Sequence, residues 1–140
     1  MKKFVQLLTI VTVISALLTA CVAAPATPET QTVVVTPAAA GNSANLKVGD
    51  ILEIQIPTIP TEGYEWQAEN LDTTILAQAG IAEYTADADP NSAGGIVTIR
   101  FTAVGAGNTN LTLIYASTAA SAGLSLSKNT FGMAVEVTQP

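Results

Sequence analysis

The chain has 140 residues, 49% of them hydrophobic and 11% charged, with a formal net charge of −6, a length and balance that fit one folded domain and exclude a disordered chain. It holds no histidine and a single cysteine, Cys21, which removes imidazole general-base catalysis, an internal disulfide and the preferred ligands of zinc. No cofactor is expected, and the chain reads as something other than an enzyme.

Lys2 and Lys3 followed by "FVQLLTIVTVISALL" supply the basic and apolar regions of an export signal over residues 1–20. The apolar run is shorter than the roughly 20 residues that a spanning helix needs. It ends on Leu18-Thr19-Ala20-Cys21, which resembles the bacterial lipobox. That resemblance implies an acylated Cys21 at the mature N-terminus, anchoring the chain to the outer face of the bacterial cell membrane or within the envelope. An ordinary secretory signal cut within "ACVA" is the alternative reading. Loss of residues 1–20 takes Lys2 and Lys3 and leaves three basic residues against eleven acidic ones, a net charge of −8. Such a surface repels phosphate backbones, so no nucleic-acid partner is expected.

Residues 21–45, rich in Ala, Thr and Pro, read as a flexible tether. Thr32–Val35 is the one place in it where a strand fits, between Pro28 and Pro37. From residue 46 to 140 the pattern turns to period two. "DILEIQI" sets Leu52, Ile54 and Ile56 on one face, and "YEWQA" does the same for Tyr64, Trp66 and Ala68. "TILAQAGIAEYTA" holds one or two strands broken near Gly80. "GIVTIRFTAV" points Val97, Ile99, Phe101 and Ala103 inward, "TNLTLIYAS" Leu111, Leu113 and Tyr115, and "FGMAVEV" Phe131, Met133, Val135 and Val137. About seven short strands separated by turn signals predict an all-β, immunoglobulin-like antiparallel β-sandwich, expected to be monomeric. In an up-and-down path, the connections 57–63, 86–95 and 117–128 fall at one end of such a sandwich.

Carboxylates are the remaining chemistry. Asp87, Asp89 and Asn91 in "DADPN" mimic the alternating start of a calcium loop, but the twelfth position is Thr98 instead of a bidentate Glu and Pro90 interrupts the run. An acidic turn, with no metal, is the expectation. Asn110-Leu111-Thr112 matches a glycosylation sequon only by chance, lying in a predicted strand.

"IPTEGYEW", Ile59 to Trp66, resembles the Asn-Pro-Thr-Thr-Gly-Tyr-x-Trp motif of the chagasin family, the I42 inhibitors of papain-like cysteine proteases. Pro60, Thr61, Gly63, Tyr64 and Trp66 match; Ile59 and Glu62 replace the family's Asn and second Thr. Gly94-Gly95 stand where the family has a Gly-rich loop. Ser117, Thr118 and Ala119 follow Tyr115 where the family carries Arg-Pro-Trp. The resemblance implies an immunoglobulin-like fold, a papain-like cysteine protease as partner, and a wedge of three loops: Pro60, Thr61, Glu62, Gly63 and Tyr64 in the first, Gly94 and Gly95 in the second, Ser117, Thr118 and Ala119 in the third. Trp66 is then a packing residue at the root of the first loop, and grafting Arg, Pro and Trp onto residues 117–119 would tighten binding. A non-inhibitory immunoglobulin-like binding or adhesion module of the envelope is the alternative that the missing Arg-Pro-Trp keeps open.

Overall fold

Alternating apolar residues need a second surface to bury against, and a two-layer sandwich provides it. A computed structural model describes residues 29–60, 63–118 and 127–140. Among them run nine strands: β1 (Thr32–Val35), β2 (Ser43–Lys47), β3 (Ile51–Thr58), β4 (Tyr64–Glu69), β5 (Leu76–Gln78), β6 (Glu83–Ala86), β7 (Gly95–Ala103), β8 (Gly107–Ser117) and β9 (Ser127–Thr138). One sheet has the order β1-β3-β7-β5, with β6 also on β7; the other has the order β2-β9-β8-β4. The predicted signal over residues 1–20, Cys21, Thr61, Glu62 and Ala119 lie outside the described residues.

The fold is the expected immunoglobulin-like sandwich, with two additions at its N-terminal edge. β1 pairs parallel with β3 and β2 pairs parallel with β9, so both sheets are mixed. The strand that fits at Thr32–Val35 is formed, and residues 43–45, read as tether, belong to β2. Pro37 does not prevent β1, because it sits beyond the strand as the first residue of a short 3-10 turn over Pro37–Ala39, where no ladder hydrogen bond is lost. Val35 of β1 and Ala44 and Leu46 of β2 are buried in the common core. "TILAQAGIAEYTA" forms two strands, β5 and β6, and with β1 and β2 added to the seven expected strands the described residues hold nine.

The core alternates as read from the sequence. Leu52, Ile54 and Ile56 of β3 and Ile99 and Phe101 of β7 face Leu111 and Leu113 of β8 and Phe131, Met133 and Val135 of β9. Each such side chain, fully buried, contributes about 1.5–3 kcal/mol relative to exposure. β6 is the exception: Glu83, Tyr84, Thr85 and Ala86 are all exposed. It is paired to β7, and Arg100 of β7 reaches Glu83 at 2.9 Å and Glu53 at 2.8 Å.

One end of the sandwich closes on a buried carboxylate. Asp50, 6% exposed, accepts the backbone N–H of Lys47 at 2.8 Å and that of Gln31 at 3.0 Å. Its own carbonyl accepts the N–H of Ala103. The side chain thus ties the entry to β1 to the turn from β2 to β3, while the backbone carbonyl of the same residue holds the exit of β7. The Lys47 and Gln31 N–H groups hold the carboxyl below the ordinary aspartate range, against the opposing effect of burial.

Candidate functional site

The opposite end carries the loops. β3 lies in one sheet and β4 in the other, so the first loop, residues 59–63, crosses between the layers. The second loop, 87–94, closes the hairpin from β6 to β7 in the first sheet; the third, 118–126, closes the hairpin from β8 to β9 in the second sheet. Registry aligns them, since Thr58 faces Gly95 across β3 and β7 while Tyr64 faces Ser117 across β4 and β8. The strand ends that carry the crossing loop are therefore flanked by one hairpin end from each sheet, at the same end of the sandwich.

Tyr115, 6% exposed, sits behind this edge. Its hydroxyl accepts the Ile59 N–H at 3.3 Å and donates to the Ile59 carbonyl at 3.2 Å. Its ring is wedged between Trp66, 5.2 Å between centroids, and Tyr64, 5.4 Å. Lys128 places its ammonium 4.4 Å from the Tyr64 ring centre, within range of a cation–π contact. Trp66 is half-buried against the core, and its indole N–H donates to the Pro57 carbonyl at 3.2 Å. It is a root residue, as expected, but it is not fully enclosed.

Gly63 adopts φ +71°, a left-handed conformation that explains glycine at the first loop's exit. Its carbonyl accepts both the Thr118 N–H at 2.9 Å and the Thr118 hydroxyl at 3.0 Å. Pro60 opens the loop, exposed, and its carbonyl accepts the Gly63 N–H at 3.4 Å. Tyr64 and Ser117, paired in register, are half-buried, and Thr118 is exposed.

The second loop is closed by its own polar groups. Asp87 accepts the Ser92 hydroxyl at 2.6 Å, Ser92 accepts the Gly94 N–H at 3.1 Å, and Asp89 accepts the Asn91 N–H at 2.9 Å. Among the described residues no group of three carboxylate or thiol side chains converges on a metal position. Gly94 is half-buried, and its carbonyl accepts the Tyr84 hydroxyl at 3.0 Å. Gly95 is buried as the first residue of β7, and a Cβ there would come within 2.6 Å of the Tyr84 ring and 2.3 Å of the Thr85 carbonyl. Glycine is required at 95 by this close approach. The residue lies beneath the loop instead of on it, so the second loop's outer surface is residues 87–93.

Between the first and second loops lies an open groove of about 710 Å³, walled by Thr58, Ile59, Trp66, Asp87, Gly94 and Tyr115 among others. Sequence reasoning placed the three loops together and missed what fastens them. Tyr115 read as one more inward-facing residue, and Tyr84 carried no signal beyond its alternation. A tyrosine at the end of a core strand, whose hydroxyl needs a partner once buried, is the clue that was available for the first.

A family model described as Chagasin family peptidase inhibitor I42 matches residues 45–135. Among solved structures, the cysteine protease inhibitor EhICP2 from Entamoeba histolytica superposes with a TM-score of 0.67 at 20% identity, covering 80% of this chain and all of that one. The solution structure of amebosin does so with a TM-score of 0.59 at 24% identity, covering 79% of this chain and all of that one. At these identities the two structures speak for the fold alone. A search of curated proteins finds no match. The family match spans most of the chain, from the middle of β2 to within β9, and includes all three loops, so the chain belongs to the chagasin family of peptidase inhibitors and is not an enzyme.

Proposed function

We propose that this chain is a surface lipoprotein that inhibits papain-like cysteine proteases reversibly, by seating its three-loop edge in the catalytic cleft. The observation that supports this reading is that the first loop crosses between the sheets, with its two root strands paired at that end to the ends of the other two loops' hairpins. The first loop has a proline at its entry and a positive-φ glycine at its exit. In the proposed complex the backbone of Thr61 and Glu62 lies nearest the catalytic cysteine, with Pro60, Gly63 and Tyr64 shaping the turn. Substrate is excluded by occupancy, with no covalent step. Residues 87–93 and the third loop, with Ser117, Thr118 and Ala119, flank the cleft.

Arg and Trp are typical hot-spot residues, each costing about 2 kcal/mol or more when truncated. With neither at positions 117–119, binding is expected to be weaker by roughly 3–4 kcal/mol, in the submicromolar range instead of the subnanomolar. The test is a titration of papain and cathepsin L with residues 29–140, a fragment that keeps β1 and β2. Inhibition that reverses on dilution supports the reading. No inhibition at micromolar concentration rejects it and leaves the non-inhibitory binding module. The anchor is tested separately by Cys21→Ser and membrane fractionation. A variant as membrane-bound as its parent rules out acylation as the anchor; since one acyl chain binds with only about 10⁴ M⁻¹, more than one is expected.

A further inference from the structure

We propose that Tyr115 and Thr118 are positioning residues for the first loop, so that in this chain the end of β8 braces the loop from behind; this rests on the inhibitory reading above. The argument begins where the ladder ends. Thr58 is the last residue of β3 paired to β7, opposite Gly95. One residue on, both backbone groups of Ile59 are taken by the Tyr115 hydroxyl, which accepts the N–H and donates to the C=O. A phenol has one donor and acceptor lone pairs, so it can make both bonds at once.

The clamp does not drift, because the Tyr115 ring is buried between Trp66 and Tyr64. The loop's exit is held from the same strand end. Thr118 gives two donors, its N–H and its hydroxyl, to the Gly63 carbonyl. Entry and exit of the loop are thereby fastened to two residues three positions apart in sequence. Only the tip, Pro60 to Glu62, lies between the fastened points. A loop whose ends are fixed before binding loses less conformational freedom when it enters a cleft, which is how pre-organisation raises affinity.

This brace changes what the third loop is for. Replacing Thr118 by proline removes both donors to Gly63 at once, since proline has no N–H. A graft of Arg, Pro and Trp onto Ser117, Thr118 and Ala119 would therefore add contacts while releasing the first loop, and the tightening expected from the sequence is not the expected result.

The experiment uses the full 140-residue chain in mild detergent, with amide hydrogen exchange, inhibition of papain and thermal melting measured together. Tyr115→Phe removes only the hydroxyl. It should leave exchange in β7 and β9 unchanged, speed exchange at Ile59 at least about tenfold, and raise the inhibition constant at least about tenfold. Thr118→Val, which keeps the N–H, should have a smaller effect on inhibition than Thr118→Pro. Unchanged exchange at Ile59 in Tyr115→Phe overturns the brace. Faster exchange with an unchanged inhibition constant overturns its role in inhibition. If the parent chain inhibits no papain-like protease, the inhibitory reading fails and the positioning role falls with it, while the exchange result still reports whether β8 holds the loop.

Discussion

At one end of the sandwich, a phenol and a threonine hold the two ends of the first loop, Ile59 and Gly63; at the other, a single carboxylate, that of Asp50, joins the entry to β1 to the turn before β3. The hydroxyls of Tyr115 and Thr118 are neutral donors and acceptors, and Tyr115 lines the open groove. Asp50 is a buried charge with its hydrogen bonds made by backbone N–H groups of neighbouring segments. Neutral braces shape a surface loop at modest energetic cost, because their groups can still find water if they let go. A buried charge is costly to leave unpaired, so it fastens parts that must not separate. The first kind of fastening suits an edge meant to meet a partner, the second the closed end of a fold.

The largest effect should come from breaking the closed end. Asp50→Ala leaves the N–H groups of Lys47 and Gln31 without their acceptor, and hydrogen bonds to a charged group are worth about 1.5–3 kcal/mol each. A loss of about 3 kcal/mol in urea unfolding is expected, with the inhibition constant for papain unchanged. A loss under about 1 kcal/mol would mean water replaces the carboxylate. The pH dependence sharpens the point. The Lys47 and Gln31 N–H groups lower the Asp50 pKa in the fold, so its contribution is complete above the unfolded aspartate value, near pH 4, and is lost as the pH falls through the lowered folded value. Glu53, also lowered by Arg100 and then Gln55, loses its share in the same acidic window. The diagnostic quantity is therefore the difference between parent and Asp50→Ala, which should shrink below about pH 4.

The strands with two good faces were legible in the sequence because alternation is a strong local signal: β3, β7 and the inner part of β9 follow it residue for residue. β1 was legible only as a short run where a strand fits, and β2 not at all, because four or five residues among Ala, Pro and Thr carry no sustained period and their strand form depends on partners distant in sequence, Val33 beside Leu52 and Ala44 beside Val135. Gly63 was legible as a positive-φ turn residue. Gly95 was not, because its need for glycine comes from the Tyr84 ring lying across it, a tertiary contact. Asp50 looked like the polar end of a strand, since nothing local marks an aspartate whose hydrogen-bond donors lie three and nineteen residues away.

Trp66 stands between the two kinds of fastening and gives the next effect in size. Its ring packs on Tyr115 and against the core, but it is only half-buried, and its indole N–H bonds the Pro57 carbonyl at the root of the first loop. Full burial would set the cost of Trp66→Ala at about 3–5 kcal/mol; half-burial lowers the expectation to about 2 kcal/mol. Unlike Asp50→Ala, this change should also weaken inhibition, because it removes one wall of the Tyr115 clamp. Urea unfolding and papain titration on the same variant decide it. A stability loss with inhibition intact would show that the loop end is held by its hydroxyls alone.

The smallest effect tests whether β6, the fully exposed strand that leads into the second loop, belongs to the open end or is secured by charge as the closed end is. Glu83 lies 2.9 Å from Arg100, but its side chain is 61% exposed, and exposed ion pairs contribute about 0–1 kcal/mol. Arg100 also keeps Glu53 at 2.8 Å, so Glu83→Gln does not strand the guanidinium. What holds β6 in register is its ladder to β7, from Glu83 opposite Thr98 to Ala86 opposite Gly95, together with the Tyr84 ring over Gly95 and its hydroxyl on Gly94. Glu83→Gln is expected to change stability by less than about 0.5 kcal/mol and to leave exchange in β6 unaltered at any salt concentration. Fraying of β6 in this variant, or in the parent at high salt, would instead make the ion pair the fastener, and the second loop would then depend on charge while the first does not. Tyr84→Ala is the matched comparison: it should loosen β6 and the 87–94 loop where Glu83→Gln does not, because it removes both the ring that covers Gly95 and the hydroxyl bonded to Gly94.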